Sequence, residues 1–275
     1  MTLTPLAHVW HESSRPAAPA LVLVHGWGLD SRVWQLLLPG LREHFRVLCI
    51  DLPGHGASPW QPGDEDFRQV CVRLLAVAPA QAMWLGWSLG GLLALAIAAQ
   101  YPQRVSALTL LAASPCFVAR EAPSSAISPI PAMPASDFAG FAQGLAESPE
   151  KTRSRFLALC CHGGAQARAD RLAVQALAAP APATVALQAG LHWLETEDWC
   201  EAYAAMSLPL HLVLGEKDAL VPATLAAWSA QVQPLAHVDV LPGAAHLPLL
   251  SHPQALLTTL LGRLLANRQT QGVWR

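Results

Sequence analysis

The sequence is short of charge, of paired cysteines and of long apolar runs, and each shortage excludes something. Only 13% of its 275 residues are charged, against 53% hydrophobic, and the formal net charge is −2. So even a balance gives no general attraction for nucleic acid or for an anionic membrane surface. No uninterrupted apolar stretch approaches the roughly 20 residues that a membrane-spanning helix needs. The most apolar segment, residues 89–99, is too short to span and follows a glycine-rich turn, so it is expected to be a buried helix. The opening MTLTPLAHVWHESSRP has no basic start followed by an apolar core, unlike a secretory signal. Cys49, Cys71, Cys116, Cys160, Cys161 and Cys200 show neither CxxC pairing nor zinc-ligand spacing. Adjacent Cys160 and Cys161 are poor disulfide partners, because the bridge geometry is hard to meet across one peptide bond. A cytoplasmic protein with reduced thiols and no bound metal is expected.

What the chain does have is an alternation of short apolar runs with longer helical patterns. That is the signature of a parallel sheet with crossover helices. Residues 20–24 (ALVLV), 45–51 (FRVLCID), 83–87 and 105–111 read as strands, and 64–78 and 89–100 as helices. From 117 to about 149 the rhythm breaks into a run rich in proline, alanine and serine. Helical patterns follow at 150–161 and 165–178, and strands return at 208–215 and 236–241. A final amphipathic helix covers 253–266. An insertion between two halves of one sheet fits this order better than two consecutive domains.

The chemistry gathers at strand ends. Gly86-Trp87-Ser88-Leu89-Gly90 is a G-x-S-x-G between a predicted strand and a predicted helix, the setting in which a sharp turn presents a serine at a helix N-terminus. Backbone N–H groups there can meet a developing oxyanion. A serine needs a base to take its proton, and a histidine base needs an orienting acid. Asp218, after the strand ending at Gly215, and His246, after the strand ending near Leu241, occur in the order serine, acid, histidine. Glu216 is the competing acid and His252 the competing base, while His25 and His55 lie outside that order. His25-Gly26-Trp27-Gly28 follows the first strand, which makes the N–H groups of Trp27 and Leu89 the candidate oxyanion donors.

Together HGWG at 25–28, DLPGHGAS at 51–58, WLGWSLGG at 84–91, SPCF at 114–117 and RFLAL at 155–159 resemble the pimeloyl-acyl-carrier-protein methyl ester carboxylesterases of biotin synthesis. The resemblance implies an α/β-hydrolase fold, with a mostly parallel central sheet flanked by helices and an inserted helical cap. It places the core at 1–117 and 194–275 and the cap at 118–193. It also implies an acyl channel lined by Phe156, Leu157, Ala158, Leu159 and Cys160, and a cofactor-free serine esterase. Alternatives are a general short-chain carboxylesterase, a carbon–carbon bond hydrolase or, outside enzymes, a ligand-binding protein of the same fold. Five of the 17 Lys and Arg residues (Lys151, Arg153, Arg155, Arg168, Arg171) fall between 151 and 171, with Asp170 the one acid there. That local excess suits an acidic carrier protein, with Lys151, Arg155 and Arg168 as docking candidates. A monomer is expected.

Overall fold

The computed structural model describes residues 4–120 and 129–270, with side chains through 266. Positions 121–128, inside the proline- and alanine-rich run, therefore lie outside the described residues. Seven strands form one sheet: β1 (His8–His11), β2 (Ala20–Val24), β3 (Arg46–Ile50), β4 (Ala82–Trp87), β5 (Val105–Leu111), β6 (Leu210–Gly215) and β7 (His237–Leu241). Their spatial order is β1-β3-β2-β4-β5-β6-β7, and all pairings are parallel except β1 with β3. The sequence pattern does not reveal β1, a four-residue edge strand too short for its alternation to register.

Three helices accompany the first five strands: α1 (Leu38–Arg42), α2 (Phe67–Val77) and α3 (Leu89–Gln100). Strands β2, β4 and β6 are apolar nearly throughout because both faces of the sheet are covered, which removes the in–out alternation of a half-exposed strand. Helix α3 is apolar all round for the same reason. It packs on β4 and β5 with residues 89–98 all buried. Helix α2 begins three residues later than its pattern predicts. The Asp66 carboxylate accepts from the Arg68 N–H and caps it there.

Between β5 and β6 lie α4 (Ala135–Glu147), α5 (Pro149–Cys160), α6 (Ala167–Leu177), α7 (Thr184–Thr196) and α8 (Cys200–Ala204). After β6 come α9 (Leu225–Val232), α10 (Pro248–Ser251) and α11 (Pro253–Thr270). Helices α4 and α7 are not legible in the sequence. Gly140 and Gly144 depress helix propensity in α4, and prolines crowd both segments. Their apolar faces decide the matter: Phe138 and Leu145 of α4, and Leu187, Leu191 and Leu194 of α7, join the same buried cluster as the sheet.

Candidate active site

Ser88 follows β4, the central strand, and starts α3. Its backbone sits at φ 53°, ψ −119°, a conformation that L-residues rarely adopt. Two observations show what holds it there. The Ser88 N–H donates to the Leu111 carbonyl at 2.9 Å, and the Ser88 carbonyl accepts from Gly91 and Leu92. Close approach of the turn to its own helix and to β2 leaves no room for a Cβ at Gly86 or Gly90, which would meet the Gly90 and Val24 carbonyl oxygens. The turn is strained and fully supported.

Asp218 and His246 arrive from loops beyond β6 and β7, at the same end of the sheet. The His246 Nδ1–H donates to Asp218 Oδ2 at 2.8 Å, and His246 Nε2 lies 2.9 Å from Ser88 Oγ. Because a carboxylate only accepts, Asp218 fixes the proton on Nδ1, which leaves Nε2 of the neutral ring free to accept the Ser88 hydroxyl proton. The other Asp218 oxygen accepts from the Leu220 and Val221 N–H groups at 2.8 and 3.0 Å. Glu216 is elsewhere. Its exposed carboxylate pairs with Lys217 and accepts from the Gly243 N–H. His252 turns its Nδ1 to the neighbouring Ser251 hydroxyl. Of the competing bases only His246 meets Ser88, and of the competing acids only Asp218 meets His246.

Neither Trp27 nor Leu89 is placed at random beside this relay. Leu89 is the first residue of α3, so its N–H has no acceptor within the helix. The turn that carries Trp27 touches Ser88 through Gly26, where an added Cβ would come within 3.0 Å of Ser88 Cβ and 2.8 Å of the Trp87 ring. His25 anchors that turn: it accepts from the Leu52 N–H at Nε2 and donates from Nδ1 to the Gly26 carbonyl.

His25 and His55 are therefore architectural. Burial lowers the pKa of both, His55 to about 3, with the adjacent His25 ring adding to the effect. Burial likewise takes His211 down to about 4, against the pull of Asp239. An unfolded chain binds protons at these sites that the folded protein excludes. Their contribution is complete above roughly pH 6.5 and shrinks as the pH falls below that value. The free energy of urea unfolding should thus drop between pH 6 and pH 4, by up to about 1.4 kcal/mol per pH unit for each histidine held neutral. His55→Gln, which keeps a donor for the Pro53 carbonyl, should give a shallower acid limb. An equally steep limb in that variant would remove His55 from this role.

Residues 21–259 match the model of the alpha/beta hydrolase family. The chain belongs to that family. Among curated relatives, a pimeloyl-[acyl-carrier protein] methyl ester esterase of Klebsiella pneumoniae (strain 342) is 37% identical over 255 residues, covering 92% of this chain and 96% of the relative. The like-named protein of Yersinia enterocolitica is 40% identical over 237 residues, 86% and 89% of the two chains. A hydrolase from Pseudomonas aeruginosa PA01 superposes with a TM-score of 0.75 at 25% identity over 94% of each chain. A bromoperoxidase from Bacillus anthracis reaches 0.80 at 20% identity over 94% of each, a likeness of fold alone. The resemblance drawn from the short motifs is thus borne out over most of the chain.

Within this alpha/beta hydrolase, a cavity of about 220 Å³ adjoins the relay. Phe156 and Leu220 are shared walls: the Phe156 ring meets the His246 ring edge-on at 6.4 Å, and Leu220 is the residue that donates to Asp218. Phe156 and Leu159 are among the lining residues of this cavity; Leu157, Ala158 and Cys160 are not. Residues 156 and 159 share one face of α5, so 157 and 158 turn elsewhere, whereas Cys160, four on from Phe156, lies on that side of the helix but is fully buried. Cys160 is fully buried close enough to Asp218 for that carboxylate to help raise its pKa, after burial itself.

Sequence reasoning missed the ties between the inserted helices and the site. The Trp27 indole donates to the Leu187 carbonyl of α7, and Gly190 of α7 packs on Trp27 and Leu89. Arg153, one more surface cation by its sequence neighbours, is buried and donates to the Gly28 carbonyl, beside Trp27, and to the Ala178 carbonyl. The Trp87 indole donates to the His246 carbonyl and holds the histidine loop. Its place inside G-x-S-x-G was the available signal. Among the described residues no group of three or more His, Cys, Asp or Glu is placed to hold a metal ion, and no helix is long and apolar enough to cross a membrane. All six cysteines are unpaired and buried.

Proposed function

We propose that this protein is a serine carboxylesterase that hydrolyses the methyl ester of a pimeloyl chain carried on acyl carrier protein, in the cytoplasm, as a step of biotin synthesis. The observation that carries the reading is the unbroken Ser88–His246–Asp218 hydrogen-bond relay beside an apolar cavity, in a chain whose curated relatives bear that esterase's name. Ser88 Oγ attacks the ester carbonyl while His246 Nε2 takes its proton. The N–H groups of Leu89 and Trp27 hold the oxyanion. His246 then protonates the departing methanol, and the same nitrogen activates the water that frees Ser88 and leaves a carboxylate on the acyl chain. Residues 118–193 act as the cap, with Phe156 and Leu159 against the acyl chain. No cofactor has a step in this scheme.

The carrier would dock on the cap. Lys151, Arg155, Arg168 and Arg171 are exposed, whereas Arg153 and Asp170 are buried, so the exposed charges between 151 and 171 are all cationic. Such a face steers an anionic partner over roughly 8–10 Å at moderate salt. The direct test is methanol release from methyl-pimeloyl carrier protein, with growth rescue of a biotin auxotroph that lacks the step. A protein that cleaves p-nitrophenyl acetate but not the carrier-bound ester is a general short-chain esterase instead. Lys151→Glu combined with Arg155→Glu should raise KM for the carrier-bound ester roughly tenfold, about 1.4 kcal/mol, and flatten its salt dependence. A small neutral ester should respond far less. Equal damage to both substrates would mean a disturbed cap, not a lost docking face.

A further inference from the structure

The cavity beside the relay carries one charge. Its walls are Phe117, Phe138, Phe141, Leu191 and other apolar side chains, except for Asp137. Asp137 is exposed, in the first turn of α4, and no Lys, Arg or His among the described residues forms an ion pair with it. Phe156 and Leu220 are the lining residues that touch His246 and Asp218, and Asp137, on α4, is one of three exposed lining residues with Leu159 and Ala219. An acyl chain with its reacting carbonyl at Ser88 would run from Phe156 and Leu220 toward Asp137.

We propose that Asp137 makes the acyl cavity a charge filter, admitting esters whose far end is uncharged and rejecting half-esters whose far end is a free carboxylate. The inference rests on the esterase reading and sharpens its substrate class. A thioester-linked chain is neutral at the far end, and its nearest anion, the phosphate of the prosthetic arm, lies well beyond it toward the cationic face of Lys151 and Arg155. The monomethyl ester of a free dicarboxylic acid instead sets a carboxylate beside Asp137, at a solvent-facing rim where water and salt screen part of the repulsion. At roughly 6 Å, between the bulk-water and protein-surface limits of screening, this repulsion is worth about tenfold in binding. A carboxylate near a helix N-terminus is also favoured by the helix dipole. That structural role alone predicts no discrimination by charge.

The two readings separate on a pair of substrates, the monomethyl and the dimethyl ester of one straight-chain dicarboxylic acid. Wild type should prefer the diester in kcat/KM. Asp137→Asn should shrink that preference about tenfold, through KM of the half-ester. Asp137→Glu should keep it, and added salt should compress it in wild type but not in Asp137→Asn. An unchanged preference in Asp137→Asn at low salt overturns the filter, as does a proportional loss on both esters. If wild type cleaves neither ester and releases no methanol from methyl-pimeloyl carrier protein, the esterase reading fails and takes the filter with it. If it cleaves the carrier-bound ester but neither free ester, the filter alone falls, because an uncharged far end is then not enough for admission. If wild type cleaves both and only the preference stays fixed, the filter alone falls.

Discussion

Ser88→Ala, His246→Ala and Asp218→Asn are each expected to lower kcat by about four to six orders of magnitude, and the triple variant by little more than the worst single change. The non-additivity follows from the geometry. One hydrogen-bonded chain links Ser88 Oγ, both nitrogens of His246 and Asp218; the proton passes only from Ser88 to His246 while Asp218 orients the ring and balances its charge, so any break idles the rest. Asp218→Asn is the most informative of the three. Leu220 and Val221 donate to one carboxylate oxygen, so the amide oxygen of an asparagine would take that position and its NH2 would face His246 Nδ1. The histidine proton would then have to move to Nε2, where it blocks acceptance from Ser88. Glu216→Gln removes an exposed pair with Lys217 and should stay within a few-fold of wild type. Steady-state turnover of a methyl ester checks all four. Activity that survives Asp218→Asn and is lost in Glu216→Gln would sink the assignment.

Most of this relay is legible in the amino-acid sequence, because strand-to-helix turns carry local signals. Gly86 and Gly90 around Ser88 announce a turn that only glycine can pack, and the Asp218 and His246 loops follow apolar runs too short for helices. What stays hidden depends on contacts made across the chain. Arg153 sits between Lys151 and Arg155 in sequence, and nothing local tells a buried guanidinium on the Gly28 carbonyl from its solvated neighbours. Helix α7 is obscured by the Pro180-Ala181-Pro182 run that precedes it, yet its Leu187 carbonyl is what the Trp27 indole needs. Asp137 gives no signal either. Helix α4, which carries it, is itself illegible, and the cavity that it lines is completed only by α5 and α7. Charge counts locate the cationic stretch, but only burial divides it into docking candidates and an internal brace.

Gly90→Ala is expected to be among the most damaging one-carbon changes in the described residues. Gly90 lies in the first turn of α3, where the helix N-terminus comes down on the end of β2. A methyl group there would meet the Val24 carbonyl oxygen, with the His25 oxygen at 2.5 Å and the Val24 carbonyl carbon at 2.7 Å. All three atoms are backbone of a central strand and of the turn that carries Trp27, so no side chain can swing aside. Relief requires α3 to lift off the sheet or the turn that carries Trp27 to shift, and either movement displaces Ser88 from His246. A loss of about 3 kcal/mol or more is expected, with turnover per folded molecule reduced as well. Gly262→Ala supplies the opposite case. Gly262 is exposed inside α11, and an added Cβ meets nothing within 4 Å. There the methyl group only restricts the unfolded chain and favours the helix, for a gain of about 0.5–1 kcal/mol. Urea unfolding of both variants, with active-site titration of the folded fraction, measures the contrast. A Gly90→Ala protein as stable and active as wild type would mean that α3 does not rest on β2 at this position, and the support claimed for the strained Ser88 turn would go with it.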